Sequence, residues 1–328
     1  MKKRWVRLLI LIIFCLSLIL AGCSKEEDTD LFPARKGALW GYINANGKMV
    51  IDPQFTVAVD FSEGLAAVRY EDKVGYIDET GKFIIDPQFD AGGPFSNGLA
   101  PVLVGEKIGF INTDGEFVIE PQYDFALEFS GGLAVVMVNG LFGFIDTSGS
   151  LVIEPAFDDA ENFSEGFALV KVEYSFAYID KTGKIVIDGS EYESAASFSE
   201  GLAAVAIDGL WGYIDQDGEF VIEPRYEWAL NFSEGLAAAV LDEKLGFIDQ
   251  TGAFIIAPQF EAGGDFNEGL ARVVKDGLIG FIDTNGDIVI EPQYQQAKDF
   301  DNGLAMVMTE NAYVYITPEG KSVFSFNK

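Results

Sequence analysis

Fifty-two acidic side chains and no histidine set the chemistry open to this chain of 328 residues. Without histidine there is no side chain that ordinarily titrates near neutral pH, and the commonest metal ligand is missing. The two cysteines, Cys15 and Cys23, both lie near the N-terminus, so the rest of the chain has no thiol for a disulfide, a metal site or a nucleophile. Carboxylate chemistry remains. Asp215-Gln216-Asp217-Gly218 and Asp283-Thr284-Asn285-Gly286 open with the spacing of a Ca²⁺ loop but lack its later glutamate. Asp and Gly in that order also suit a tight turn, because Asp bonds its own backbone and Gly accepts positive φ. Paired carboxylates could hydrolyse a glycoside, yet most acids here recur at fixed intervals, and one active site needs an asymmetric set. Ser62-Glu63-Gly64 and its copies lack the Gly-x-Ser-x-Gly turn and histidine partner of a serine hydrolase. The expectation is a protein that is not an enzyme and holds no cofactor or metal.

Beyond residue 22 the chain has 18 basic and 52 acidic residues, a formal charge of −34. Such a surface repels nucleic-acid phosphates and anionic lipid head groups, so no nucleic-acid partner is expected. The charge solvates the surface; a sharper reading is attraction of cationic partners.

The N-terminus reads as an address. Lys2, Lys3, Arg4 and Arg7 precede an apolar run of 13 residues, Leu8 to Leu20. A membrane-spanning helix needs about 20 residues, whereas a signal-peptide core is this short. The run ends in Leu20-Ala21-Gly22-Cys23, which resembles the bacterial lipobox. That resemblance implies cleavage before Cys23, a lipid on its thiol and an extracytoplasmic protein anchored to the cell membrane, or to the outer membrane if the cell has one. Residues 1–22 are then a signal peptide. Residues 23–38, charged and containing Pro33, read as the lipidated cysteine and a flexible tether. Residues 39–328 form the folded domain.

That domain is repetitive. Trp40-Gly41-Tyr42-Ile43 returns as VGYI, IGFI, FGFI, FAYI, WGYI, LGFI, IGFI and YVYI, with a spacing of 34 residues throughout except 35 between Ile179 and Ile214. Each copy continues with Asp or Asn (Thr317 in the last) and then a Gly, as in Asp78-Glu79-Thr80-Gly81, a hairpin turn. A short apolar strand follows, such as Phe83-Ile84-Ile85, and is expected to stop at a proline, because proline cannot donate to a ladder. A stretch of ambiguous period leads to Phe-Ser-x-Gly, and Gly-Leu-Ala opens a further strand. Each repeat is therefore a meander of three strands, or four, in an all-β domain without helix.

These motifs are similar to those of the bacterial WG (or KWG) β-repeat family. The resemblance rests on the Trp-Gly strand, the Asp-x-x-Gly turn, the Pro-Gln-aromatic break and Phe-Ser-Glu-Gly-Leu-Ala, over residues 39–328. It implies a repeat scaffold and no particular reaction.

Nine WGYI-type hairpins but eight Gly-Leu-Ala strands leave one surplus hairpin at residues 39–55. A closed ring has no use for it and an open array uses it as a cap, so the counts favour an open solenoid-like array over the alternative, an eight-bladed β-propeller. Residues that depart from the repeat pattern are candidate partner contacts: Trp228, Arg225, Tyr70, Tyr174 and Arg272. The function expected is a surface-anchored scaffold binding a protein or envelope partner. A cell-wall glycan binder is the alternative, and it would display stacked Trp or Tyr along one face. A carboxylate-based hydrolase is the remote one.

Overall fold

Each 34-residue period folds as one antiparallel sheet. The computed structural model describes residues 30–327, and all regular elements among them are strands. The first sheet has three, β1 (Leu31–Lys36), β2 (Leu39–Asn44) and β3 (Met49–Phe55). The next has four in sequence order, β4 (Val57–Ala58), β5 (Ala66–Tyr70), β6 (Lys73–Ile77) and β7 (Phe83–Phe89), and seven more follow that plan. The stretch of ambiguous period is thus a two-residue strand and an extended connection. The molecule is a nine-bladed β-propeller.

The ring closes without a covalent link. In each of the first eight blades the aromatic of the WGYI strand packs on the Phe of the next blade's Phe-Ser-x-Gly turn, as in Tyr42–Phe61 at 4.9 Å and Phe281–Phe300 at 4.9 Å between ring centres. In the ninth blade Tyr315 packs on Phe32 of β1, at 5.8 Å. Its hydroxyl donates to the carbonyl of Pro33 at 2.8 Å, as Tyr42 donates to Val59 (2.8 Å) and Tyr213 to Leu230 (2.7 Å). Phe32, Ala34 and Ile43 share one core with Leu304, Tyr315 and Phe326.

The open array is therefore incorrect, and so is the eight-blade count. The error lies in the tether. Leu31–Lys36 is a strand, with Leu31 to Ala34 buried, and it pairs with β2 in the register that β5 keeps with β6. It is the ninth Gly-Leu-Ala-type strand without the consensus letters, so the surplus hairpin has its partner. Pro33 brings no N–H, and Tyr315 occupies its carbonyl, which blunts the edge that another strand would otherwise extend. Cys23, the lipobox and residues 24–29 lie outside the described residues.

The proline does not end its strand, as the sequence suggests. It marks a crossing. Val74 pairs with Phe89 and Tyr76 with Ile85, so four residues of β7 pass opposite two of β6. The surplus chain lies on Gly75, where a Cβ would stand 2.6 Å from the Ile85 carbonyl oxygen and 2.8 Å from the Pro87 nitrogen. Two blades lack the glycine, and both lack the proline. Ala177 and Val314 face Asp188 and Ser325 across ladders with no such crossing. The WG glycine and the proline are therefore one device: the glycine leaves room for the bulge that the proline initiates.

Candidate functional site

The residues that recur hold the ring together. Each Ser of the Phe-Ser-x-Gly turn donates its hydroxyl to the next blade's Phe carbonyl, from Ser62 to Phe95 (2.7 Å) through Ser233 to Phe266 (2.7 Å). The glutamate that follows accepts the N–H of the next blade's turn glycine: Glu63 from Gly98, Glu165 from Gly201, Glu200 from Gly235, Glu234 from Gly269 and Glu268 from Gly303, each at 2.9 Å. In the sequence these serines and glutamates lack the turn and the histidine of a serine hydrolase, and nothing there assigns them another role. In the fold they are a belt between blades, and only the three-dimensional neighbour reveals it.

The Asp-x-x-Gly carboxylates are spent within their own turns. Asp215 Oδ1 accepts the N–H groups of Asp217 and Glu219, both at 3.0 Å. Asp283 Oδ1 accepts those of Asn285 and Asp287, both at 2.9 Å, and these bonds hold its carboxyl below the usual range. Among the described residues no group of three or more Asp, Glu, Cys or His could hold a metal ion. Tyr42, Tyr76, Tyr178, Tyr213 and Tyr315 have their hydroxyls pushed well up by burial, so they stay protonated donors.

The five off-pattern residues do not meet. Arg225 donates to the Gly252 carbonyl (2.6 Å) and the Tyr226 hydroxyl (2.9 Å), tying the sixth blade to the seventh. Arg272 forms an ion pair with Asp299 and donates to the Ala297 carbonyl (2.9 Å), tying the eighth to the ninth. Tyr70 leans on Phe83 with its ring edge-on. Trp228 sits on a two-residue strand paired with Val240. Tyr174 alone is almost wholly in solvent, 96% exposed, on the turn of the fifth blade. The exposed aromatics thus belong to separate blades.

Beside the Arg272 pair lies a strained carboxylate. Asp265 Oδ1 is buried with no hydrogen-bond partner among the described residues. Burial first, and then the charge of Asp299, raise its pKa above the ordinary 3.8, while Arg272 opposes them. A carboxyl raised in the folded state favours folding while protonated, and that contribution is lost as pH rises through its folded pKa. The fourth and sixth blades' followers, Asn162 and Asn231, occupy the same place before the turn Phe. Asp265→Asn is expected to raise the melting temperature at neutral pH by a few degrees and to change it little near about pH 3. Thermal melts across that pH range check this; an equal gain at both ends contradicts it.

At the seam between first and last blades, Met49 and Lys36 stand where the second blade has the aromatic pair Phe83 and Tyr70. The smaller packing leaves a cavity of about 460 Å³ bordered by Arg35, Lys36, Met49, Pro53, Phe324 and Phe326. Arg35 spans it. Its guanidinium donates to the Asn327 carbonyl (2.6 Å) and lies 5.9 Å from the Trp40 ring and 5.8 Å from the Phe326 ring.

Comparison with known proteins fits this geometry. The sequence profile described as "WG containing repeat" matches eight times, over residues 40–73, 75–107, 108–142, 142–174, 176–211, 211–244, 246–278 and 279–313. No curated protein matches the chain. Among solved structures, one titled as the eukaryotic initiation factor is 14% identical and superposes with a TM-score of 0.66, covering 91% of this chain and 96% of its own. AztD of Citrobacter koseri is 13% identical with a TM-score of 0.47, over 90% and 94% of the two chains. At such identities the first shows a shared fold alone, and the second carries no argument.

Proposed function

This chain belongs to the WG containing repeat family, and from that premise we propose that it is a non-enzymatic, surface-anchored lipoprotein whose propeller is a scaffold for a protein or envelope partner. The observation that carries this reading is the division of labour among its residues. The serines and glutamates that recur in the Phe-Ser-x-Gly turns are consumed between blades, and of the off-pattern residues Arg225 and Arg272 are ties as well, whereas Tyr174 is left on the surface. A binding scaffold needs a rigid frame and variable contacts. A protein partner is preferred over a glycan because Tyr70, Tyr174 and Trp228 stand on different blades rather than in a stacked row. Incubating the full chain with cell-wall fragments and with surface proteins, and identifying what is retained, tests the scaffold; retention of neither defeats it.

The anchor is the second part of the proposal. Leu20-Ala21-Gly22-Cys23 after an apolar run supports lipidation of Cys23. Metabolic labelling with a fatty acid is expected to tag the wild type and not Cys23→Ser. Label retained on the variant rules the anchor out.

A further inference from the structure

The fifth blade departs from its neighbours at its tip and at the cleft beneath it. Its strands Ala168–Val172 and Ser175–Ile179 are joined by Glu173 and Tyr174, both at positive φ, 49° and 74°. A two-residue turn of that kind favours Asn-Gly or Asp-Gly. The fourth, sixth and eighth blades comply with Asn139-Gly140, Asp208-Gly209 and Asp276-Gly277. Tyr174 has the largest positive φ of any non-glycine residue among those described, and it gains no packing in return.

One register step down the hairpin, Lys171 faces Phe176, with its ammonium 4.5 Å from the ring centre. Both border a cleft of about 240 Å³ that runs to Ala195 of the sixth blade, with Leu169 and Val170 below and Asp159 and Glu161 at the rim. The fold repeats this cleft. In the second blade it measures about 140 Å³, with Val57 and Val59 where the fifth has Asp159 and Glu161, and Arg69 where it has Lys171. The tip above is Glu71-Asp72, with no aromatic. The cleft therefore recurs in the second and fifth blades, whereas its acidic rim and the tyrosine at the hairpin tip belong to the fifth blade alone of the two.

We propose that this tip and cleft form a docking site for a protein segment that presents an arginine or lysine beside an apolar side chain. An exposed tyrosine face attracts a guanidinium or ammonium. Asp159 and Glu161, both exposed, add complementary charge, and Asp158 and Glu173 extend it to the tip. Glu161 also accepts the Ser197 hydroxyl (2.6 Å), which holds its carboxylate at the rim. The half-buried Phe176, backed by the buried Leu169 and Val170, offers the apolar wall. Tyrosine is among the side chains that dominate protein interfaces, because it buries a large area at low entropic cost.

This inference rests on the reading of the propeller as a binding scaffold. The probe is a short unstructured peptide of alternating arginine and leucine, titrated by fluorescence anisotropy against the full chain. The wild type is expected to bind it saturably and to ignore the same peptide with glutamate for arginine. Tyr174→Gly is expected to bind about tenfold more weakly, the scale of an interface hot spot, while melting at the same or a higher temperature because the turn is relieved. Tyr174→Phe, which keeps the aromatic face, should stay close to the wild type. Peptide binding undiminished in Tyr174→Gly, or absent from the wild type, overturns the site. If that happens while cell-surface partners are still retained equally by wild type and Tyr174→Gly, the scaffold reading stands without it.

Discussion

Gly246→Val is expected to disrupt the seventh blade and, through the ring, the whole propeller. Gly246 has an ordinary φ, so its need is for space. A Cβ there would stand 2.5 Å from the Ile256 carbonyl oxygen, 2.8 Å from the Pro258 nitrogen and 3.0 Å from the Ala257 carbonyl carbon. All three are backbone atoms and cannot swing aside. The crossing strand must lift off the sheet, at a cost of about 3 kcal/mol or more, the upper range for overpacking a core. Gly235→Ala is the control. Gly235 has φ +80° but open space around it, so alanine meets only the left-handed backbone penalty of roughly 1–2 kcal/mol. Urea unfolding of the two variants makes the comparison, and equal losses would refute the crossing as the reason for the glycine. The fifth blade indicates the rescue: Ala177 coexists with Asp188-Gly189 in place of the proline. Alanine at 246 should accordingly be better tolerated when Pro258 is replaced too.

Phe326→Ala is expected to open the ring. Phe326 is buried, its ring 5.8 Å from Trp40 of the first blade and 5.5 Å from Tyr313 of its own, with Arg35 beside it. Loss of a buried Phe side chain costs about 3–5 kcal/mol. Here the loss falls where no covalent link joins the blades. Hydrogen exchange is the measurement. A closed ring predicts faster exchange both at residues 312–327 and at 31–44, nearly three hundred residues earlier in the chain. Faster exchange in the last blade alone would mean that β1 is not held by it. Arg35→Ala, which removes the bridge to Asn327 but leaves the aromatic contacts, should loosen the same two segments to a smaller degree.

Much of one blade is legible in the sequence. The turn at Asp78-Glu79-Thr80-Gly81, the apolar strand after it and the strand opened by Gly64-Leu65-Ala66 all follow from local preferences. Backbone conformation and the alternation of buried side chains are set within a few residues of each position. The strand Leu31–Lys36 was hidden because it has none of the consensus letters. Its pairing is decided by what β2 and the last blade offer it, and charged residues just before it disguise it as a linker. The acidic rim of the fifth blade's cleft was equally hidden, since Asp159 and Glu161 lie at one edge of the blade and Lys171 and Phe176 on the hairpin beside it. Tyr174 stood out because it breaks the repeat; Arg225 and Arg272 did so as well, and they serve as ties between blades.

The sequence by itself determined the repeat, its period, its all-β character and the residue types at every turn, because these depend on contacts between near neighbours. It could not decide whether the units close. Closure depends on the angle between successive blades summed around the ring, and on whether Phe32 and Tyr315, 283 positions apart, meet. No local pattern encodes that angle. Only the tertiary structure turned nine similar sheets into a ring, assigned Ser62 and Glu63 to the neighbouring blade, and left Tyr174 in solvent at the tip of its hairpin.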